Sequence, residues 1–300
     1  LVRANTDIVG TGDKAMQFYK DNLKVYPLKT GPRKGNYIDC GHMRGNSLVP
    51  EDASAFRWLY EIVSYEPADL FNKEQLGRLA SLGIEKGKPF APDARMQGIF
   101  DQAAKQAVAM SRVITFASRD PEEKLYKGMS WGTPFIGGNS EFEKNGYRNL
   151  EARTLYHYNA IVITPAMAAP MPEGRGSKYT STYVDENGDF LDGSKTYKLH
   201  VPPNVPVREF WSITVYDPAT RSQLQTGQPL PSISSQQNPP ANADGSVDIY
   251  FAPKKPKGVA KENWIQTVAG KGFFPFYRFY GPLKAFNDQT WKPVEIELVQ

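Results

Sequence analysis

The side chains able to do chemistry in this chain are few. Histidine occurs three times, at His42, His157 and His200, and cysteine once, at Cys40. A zinc site takes three or four His, Cys or carboxylate ligands, often closely spaced, and no HxH, HExxH or CxxC pattern is present. We therefore expect no metal and no cofactor. A lone cysteine also excludes an internal disulfide. Cys40 and His42, in "DCGHM", would serve as nucleophile and base only in hydrogen-bond contact, which two loop residues so close in sequence seldom reach.

His157 stands in better company. In "EARTLYHYNAIVIT", read as a strand, Glu151, Arg153, Leu155 and His157 share one face. Thr154, Tyr156 and Tyr158 take the other. A carboxylate, a guanidinium and an imidazole in line can orient a small anion or exchange protons as an acid–base set. The same residues also suit a structural Glu–Arg ion pair between sheets. Glu151, Arg153 and His157 are the catalytic candidates, and His200, in "KTYKLHV", reads as a partly exposed strand residue.

Nucleotide and hydrolase motifs are missing. Neither GxxxxGK[ST], GxGxxG nor GxSxG occurs, and "GNS" at 45–47 and 138–140 lacks the strand and helix of a nucleophile elbow. "GRGSK" at 174–178 precedes a strand-like run, not the helix that a phosphate loop requires.

Aromatics are plentiful, and they fit either a binding pocket or a sheet core. Arg278 sits among Tyr277, Phe279 and Tyr280 in "FFPFYRFYGP", and Trp211 and Trp264 fall in other strands. In "EFWSITVYDP", Trp211, Ile213 and Val215 alternate with Ser212, Thr214 and Tyr216. That run is a strand with one apolar and one semi-polar face. Arg221, in "TRSQLQT" just beyond it, could close a ligand mouth, bridge subunits or cap a turn. The binding candidates are thus Tyr156, Tyr158, Trp211, Tyr216, Arg221, Trp264, Arg278 and Tyr280.

The elements that must position these residues differ along the chain. Residues 13–24 carry Met16, Tyr19 and Leu23 on a helical stripe stopped by Pro27. Phe56, Leu59, Tyr60 and Val63 have the i, i+3, i+4, i+7 spacing of an amphipathic helix ended by Pro67. Asn72 with Gln75 makes a capping box, and Gly83 stops that helix. The longest helix is expected from about Asp93 to Ala117, burying Met96, Ile99, Phe100, Ala103, Ala107, Met110 and Ile114. "DPEE" at 120–123 opens a further short helix. Beyond about residue 130 helical stripes give way to short alternating runs with Asn187-Gly188 and Asp244-Gly245 turns.

Composition narrows the class. The chain has 300 residues, 40% hydrophobic and 23% charged, with a net charge of +4, as in ordinary globular proteins. The basic residues are dispersed, so no nucleic-acid partner is expected. No run approaches the ~20 apolar residues of a spanning helix. Neither an initiator Met nor a signal-like segment stands at Leu1, so the chain reads as a mature or trimmed product.

Several longer runs carry a resemblance. "LEARTLYHYNAIVITPAM", "GRGSKY", "DENGDFLDGSKTYKLHVPPNVPVREFWSITVYDPATRSQLQT", "NADGSVDIYFAPKKPKG", "NWIQTVAGKGFFPFYRFYGPL" and "TWKPVEIEL" together resemble the family built from two domains of unknown function, catalogued as 1254 (N-terminal) and 1214 (C-terminal). The match is densest over residues 175–298. "LGIEKGKPFAPD" with the long helix looks like the family's middle region, and "LVRANTDIVGTGD…VYPL" like the later part of its N-terminal domain. Ala252 in "FAPK" departs from the glycine expected there. The resemblance implies a bacterial protein of a group often exported, hence periplasmic or secreted, and brings no established reaction.

The expected fold is multi-domain α and β: a helical N-terminal and middle region, then a C-terminal jelly-roll-like antiparallel β-sandwich. Residues 1–50 would end the N-terminal domain, 51–130 form the helical region and 131–300 the sandwich. Two functions compete. One is a non-enzymatic protein that binds a small-molecule ligand or assembles through its sandwich, as a homo-oligomer or with the missing N-terminal fragment. The other is a hydrolase of small organic substrates using Tyr, Arg, carboxylate and His groups.

Overall fold

The computed structural model describes residues 12–32, 40, 43, 48–160, 162–168 and 172–299. His42 and the first "GNS" lie outside them. The chain divides into two compact units, Leu1–Ser47 and Leu48–Gln300. In the first, helix α1 spans Gly12–Asn22 and buries Ala15. Met16, expected on its buried stripe, is exposed.

The second unit opens with helices whose ends follow local chemistry. Helix α2, Ser54–Tyr65, buries Val63. Asn72 and Gln75 close a reciprocal capping box on α3, Lys73–Ala80, and Gly83, at φ +78, turns the chain away. Helix α4, Ala94–Phe116, starts where Asp93 accepts the Met96 amide at 2.8 Å, offsetting one of the unpaired amides of a helix start. Its expected stripe is buried only in part. Phe100 is sealed against Phe56, their ring centres 4.1 Å apart, while Ala107, Met110 and Ile99 face outward. The burial runs instead through Phe100, Ala104 and Thr115.

The run expected as a strand around His157 is a helix, α5, Leu150–Asn159. Asn149 accepts the Ala152 amide at 3.0 Å and donates to Asp120 at 2.8 Å, which ties the helix start to the Pro121–Glu123 turn. Ala152, Leu155 and Tyr156 are buried in a cluster with Ile136 and Phe142. Their i, i+3, i+4 spacing, not period-two alternation, decides the conformation.

After a two-residue hairpin, β1 (Glu143–Lys144) with β2 (Tyr147–Arg148), two four-stranded sheets follow. In the first, β3 (Ser177–Ser181), β9 (Phe274–Pro282), β5 (Val207–Tyr216) and β6 (Ser232–Ser234) lie side by side in that order. In the second the order is β10 (Ile296–Val299), β4 (Thr196–Val201), β7 (Val247–Ala252) and β8 (Trp264–Gln266). The two sheets bury their facing side chains in one core: Trp211, Ile213, Val215, Tyr277 and Phe279 from the first, Tyr197, Leu199, Ile249, Phe251 and Ile296 from the second. β3 and β4 therefore do not pair with each other across the Asn187-Gly188 turn. That turn closes a small bridge between Val184 and Phe190, and the chain then crosses to the other sheet.

The second sheet is not wholly antiparallel. β8 runs parallel to β7, because the residues between them loop out and return through a Lys261–Asn263 turn. There Asn263 donates to the carbonyls of Asp248 and Pro240 at 2.8 and 2.9 Å, fixing the entry of β8.

Candidate functional site

Where α4 ends against the first sheet, an apolar pocket of about 420 Å³ opens, in the size range of small-molecule sites. Val113, Phe116 and Ala117 form the helical wall, Tyr183, Phe190 and Leu191 the wall from the β3–β4 connection, and Phe273 and Phe274 the floor at the start of β9. Phe116 meets the edge of Tyr183 with ring centres 5.0 Å apart, and Tyr183 meets Phe274 at 5.4 Å. Burial pushes the Tyr183 phenol up to about 12, so it is neutral and can act only as a hydrogen-bonding group at ordinary pH. Arg112 and Pro218 complete the lining.

Arg112 also belongs to a polar knot. Its Nε donates to the Tyr158 hydroxyl at 3.2 Å and its Nη2 to Glu51 Oε2 at 3.2 Å. Arg221 comes from the other side. Its Nε donates to the Tyr158 carbonyl at 3.1 Å, and its Nη1 to Glu51 Oε1 at 2.9 Å and to the Tyr158 hydroxyl at 3.2 Å. Nη1 also donates to the Ala219 carbonyl. The guanidinium carbon of Arg221 sits 4.0 Å from the Tyr158 ring centre. One carboxylate thus bridges two arginines, one oxygen to each, a charge-assisted arrangement. The Tyr158 hydrogen bond, and the charges of Glu51 and Asp217 after it, hold the Arg112 guanidinium above its ordinary value. Beside it, Lys271 pairs with Asp217 at 3.1 Å.

Of the binding candidates, the knot brings together Tyr158 and Arg221; Glu51 and Arg112 are not expected from the sequence, because 61 residues separate them and no motif links a loop acid to the last turns of a helix. The pocket's aromatic walls were equally hidden, since Phe116, Tyr183 and Phe274 come from three elements that only tertiary packing joins.

The remaining candidates disperse. Glu151 pairs with Arg119 at 3.6 Å on the surface. His157 packs edge-on to Tyr156 and Phe142, and desolvation, then the Arg153 charge, holds its pKa below the usual 6.5. As α5 is a helix, Glu151, Arg153 and His157 do not share the face that a strand would give them. Tyr156 is buried and donates to the Val162 carbonyl at 2.9 Å. Trp211 is a core residue, and Trp264, on the edge strand of the other sheet, donates to the Ala252 carbonyl at 3.0 Å.

Tyr216, Arg278 and Tyr280 do share a surface, the outer face of the first sheet. Cross-strand register sets Arg278 beside Tyr179 and Ser212, and Tyr280 beside Phe210. Arg278 donates to the Tyr216 hydroxyl, and the rings of Tyr179 and Tyr216 lie 5.6 and 5.7 Å from its guanidinium. Phe210 and Tyr280 stack at 4.1 Å.

His200 pairs across strands with Asp248 at 2.6 Å. "GRGSK" is a turn leading straight into β3, with the Gly174 amide on the Pro282 carbonyl at 2.8 Å. Among the described residues no group of three or more His, Cys, Asp or Glu gathers where a metal ion could be held. Among the same residues no helix is long and apolar enough to cross a membrane.

No curated protein matches the chain. A crystallised protein of Vibrio parahaemolyticus is similar over 100% of this chain and 67% of its own length, at 20% identity and a TM-score of 0.42. An uncharacterised protein of Burkholderia cenocepacia is similar over 81% of this chain and 52% of its own, at 13% identity and a TM-score of 0.34. Residues 176–284, from just before β3 to just past β9, match the family described as a protein of unknown function, DUF1214.

Proposed function

We propose that the protein binds a small, largely apolar molecule in the pocket between α4, the β3–β4 connection and β9. The observation that carries this reading is the pocket's lining: three mutually packed rings and aliphatic walls around about 420 Å³, a surface whose burial by a ligand is favourable at roughly 25 cal/mol per Å². A non-enzymatic binding role is preferred over a hydrolase because the helix sets Glu151 away from Arg153 and His157, which are four residues apart on one face, and pairs it with Arg119, so carboxylate, guanidinium and imidazole do not converge on one point.

The finer points of the reading belong to the same proposal. Two facing four-stranded sheets support a sandwich, and the jelly-roll class is proposed with the parallel β7–β8 pair as its departure. The DUF1214 match over 176–284 supports the C-terminal half of the paired-domain reading; a 1254-type N-terminal partner, a periplasmic or secreted location and assembly into oligomers are proposed with it from the sequence resemblance alone.

Thermal unfolding with a series of straight-chain alcohols tests the binding role. Octanol should raise the midpoint of the wild type, because a ligand selective for the native state stabilises it. Val113→Trp, which fills the mouth from an exposed helical position, should abolish the rise. An equal rise in both proteins, or none in either, overturns the reading.

A further inference from the structure

The polar knot at the pocket's edge has the geometry of a carboxylate receptor that is already filled. Glu51 presents one oxygen to Arg112 at 3.2 Å and the other to Arg221 at 2.9 Å. Both arginines are held by other groups. Arg221 is anchored on the Tyr158 ring, carbonyl and hydroxyl, and its side chain is only 8% exposed. Arg112 is anchored on the same hydroxyl and lines the apolar pocket. Such a pair stays in place when its carboxylate leaves, which is what preorganised recognition requires.

Glu51 is the loop-borne member, whereas Arg112, though more exposed at 45%, is carried on α4. Glu51 lies in the loop ahead of α2, its side chain is 38% exposed, and its two contacts with the arginines are its only ion pairs among the described residues. The charges around the knot favour a second anion. Arg112, Arg221 and Lys271 face Glu51 and Asp217, so three cations stand against two carboxylates.

We propose that Arg112 and Arg221 form the receptor for the carboxylate of an apolar acid whose body fills the pocket, and that Glu51 occupies this receptor as a displaceable latch while the pocket is empty. The proposal rests on the pocket being a binding site and adds the chemical class of its ligand. An apolar tail against Phe116, Tyr183 and Phe274 with a carboxylate at Arg112 satisfies both halves of the site at once. The alternative, a neutral ligand, would leave the arginine pair with no part in recognition.

Titration calorimetry with octanoate and octanol, on the wild type and on Glu51→Gln, tests this. Removing the competing charge should tighten octanoate about tenfold, the scale of a charge-assisted pair, and leave octanol unchanged. Arg112→Gln should weaken octanoate and spare octanol. Hydrogen exchange supplies a second readout independent of any variant: amides of residues 48–54 should exchange faster with octanoate bound, and not with octanol. If octanol binds while octanoate is indifferent to Glu51→Gln and residues 48–54 do not respond, the receptor proposal fails and the apolar site stands. If neither probe binds, both fail together.

Discussion

Arg221 and Tyr158 are joined three ways. The guanidinium lies 4.0 Å from the ring centre, Nε donates to the Tyr158 carbonyl and Nη1 to its hydroxyl. The contact ties the loop after β5 to the last turn of α5, so the first sheet and the helical cluster are fixed to one another at the pocket's edge. Arg221 reaches it from a left-handed backbone, φ 56, a conformation that costs an L-residue energy and persists only where contacts hold it.

Two substitutions separate the side chain from the backbone. Arg221→Ala should destabilise by about 2 kcal/mol, for the loss of charge-assisted hydrogen bonds from a nearly buried group, with the Glu51 share discounted for its exposure. Arg221→Gly should cost roughly 1 kcal/mol less than Ala, since glycine accepts the left-handed φ freely. Urea unfolding of the pair measures both, and equal losses would mean that the backbone stores no strain there.

Gly193 has no room for a methyl. A Cβ there would stand 2.3 Å from the Val268 carbonyl oxygen and 2.8 Å from that of Lys271, both backbone atoms, with the Gly193 amide already donating to Lys271 at 2.8 Å. Gly193→Ala should therefore cost about 3 kcal/mol, the upper range of overpacking. Gly98→Ala, in α4, meets nothing within 4 Å and should stabilise by up to about 1 kcal/mol through helix propensity. Opposite shifts in the urea midpoint are the expected result, and a tolerated Gly193→Ala would place the β4 entry elsewhere.

Much of the fold was legible, and the reasons are physical. Asn72, Gln75, Gly83 and Asp93 announce helix ends through local hydrogen bonds that the structure contains, and Val247, Ile249 and Phe251 announce a buried strand face. The strand expectation at 150–159 fails because "TLYHY" alternates in a run that also carries helical spacing, and the joint burial of Ala152, Leu155 and Tyr156 behind the Asn149 cap favours the helix. The candidate site was less legible. Tyr158 and Arg221 stand out by residue type, whereas Glu51 and Arg112 acquire meaning only when the loop before α2 meets the end of α4, a contact with no local trace.

The partial burial of α4 gives a paired test. Phe100 is 1% exposed and stacks on Phe56, so Phe100→Ala should cost about 3–5 kcal/mol. Met110, expected on the same stripe, is 62% exposed, and Met110→Ala should stay within about 0.5 kcal/mol. Thermal unfolding reads the difference directly. A Met110→Ala loss approaching that of Phe100→Ala would mean that another surface covers this side of α4 in solution.

Glu123 predicts how stability changes with pH. Burial raises its carboxyl above the ordinary 4.5, against the opposing pull of Lys124, whose Nζ lies 3.0 Å away. The folded chain therefore holds this proton more tightly than the unfolded chain does. By linkage, the stabilisation from this group is complete below pH 4.5 and is lost as pH rises through the folded value. Glu123→Gln stays neutral across the range and keeps no such dependence. The stability of Glu123→Gln minus that of the wild type should thus grow in the variant's favour from about pH 4 to about pH 8, measured by urea unfolding in constant salt. A difference that stays flat would mean that Lys124 fully offsets the cost of burying the carboxylate, and one that shrinks would mean that the ion pair outweighs it.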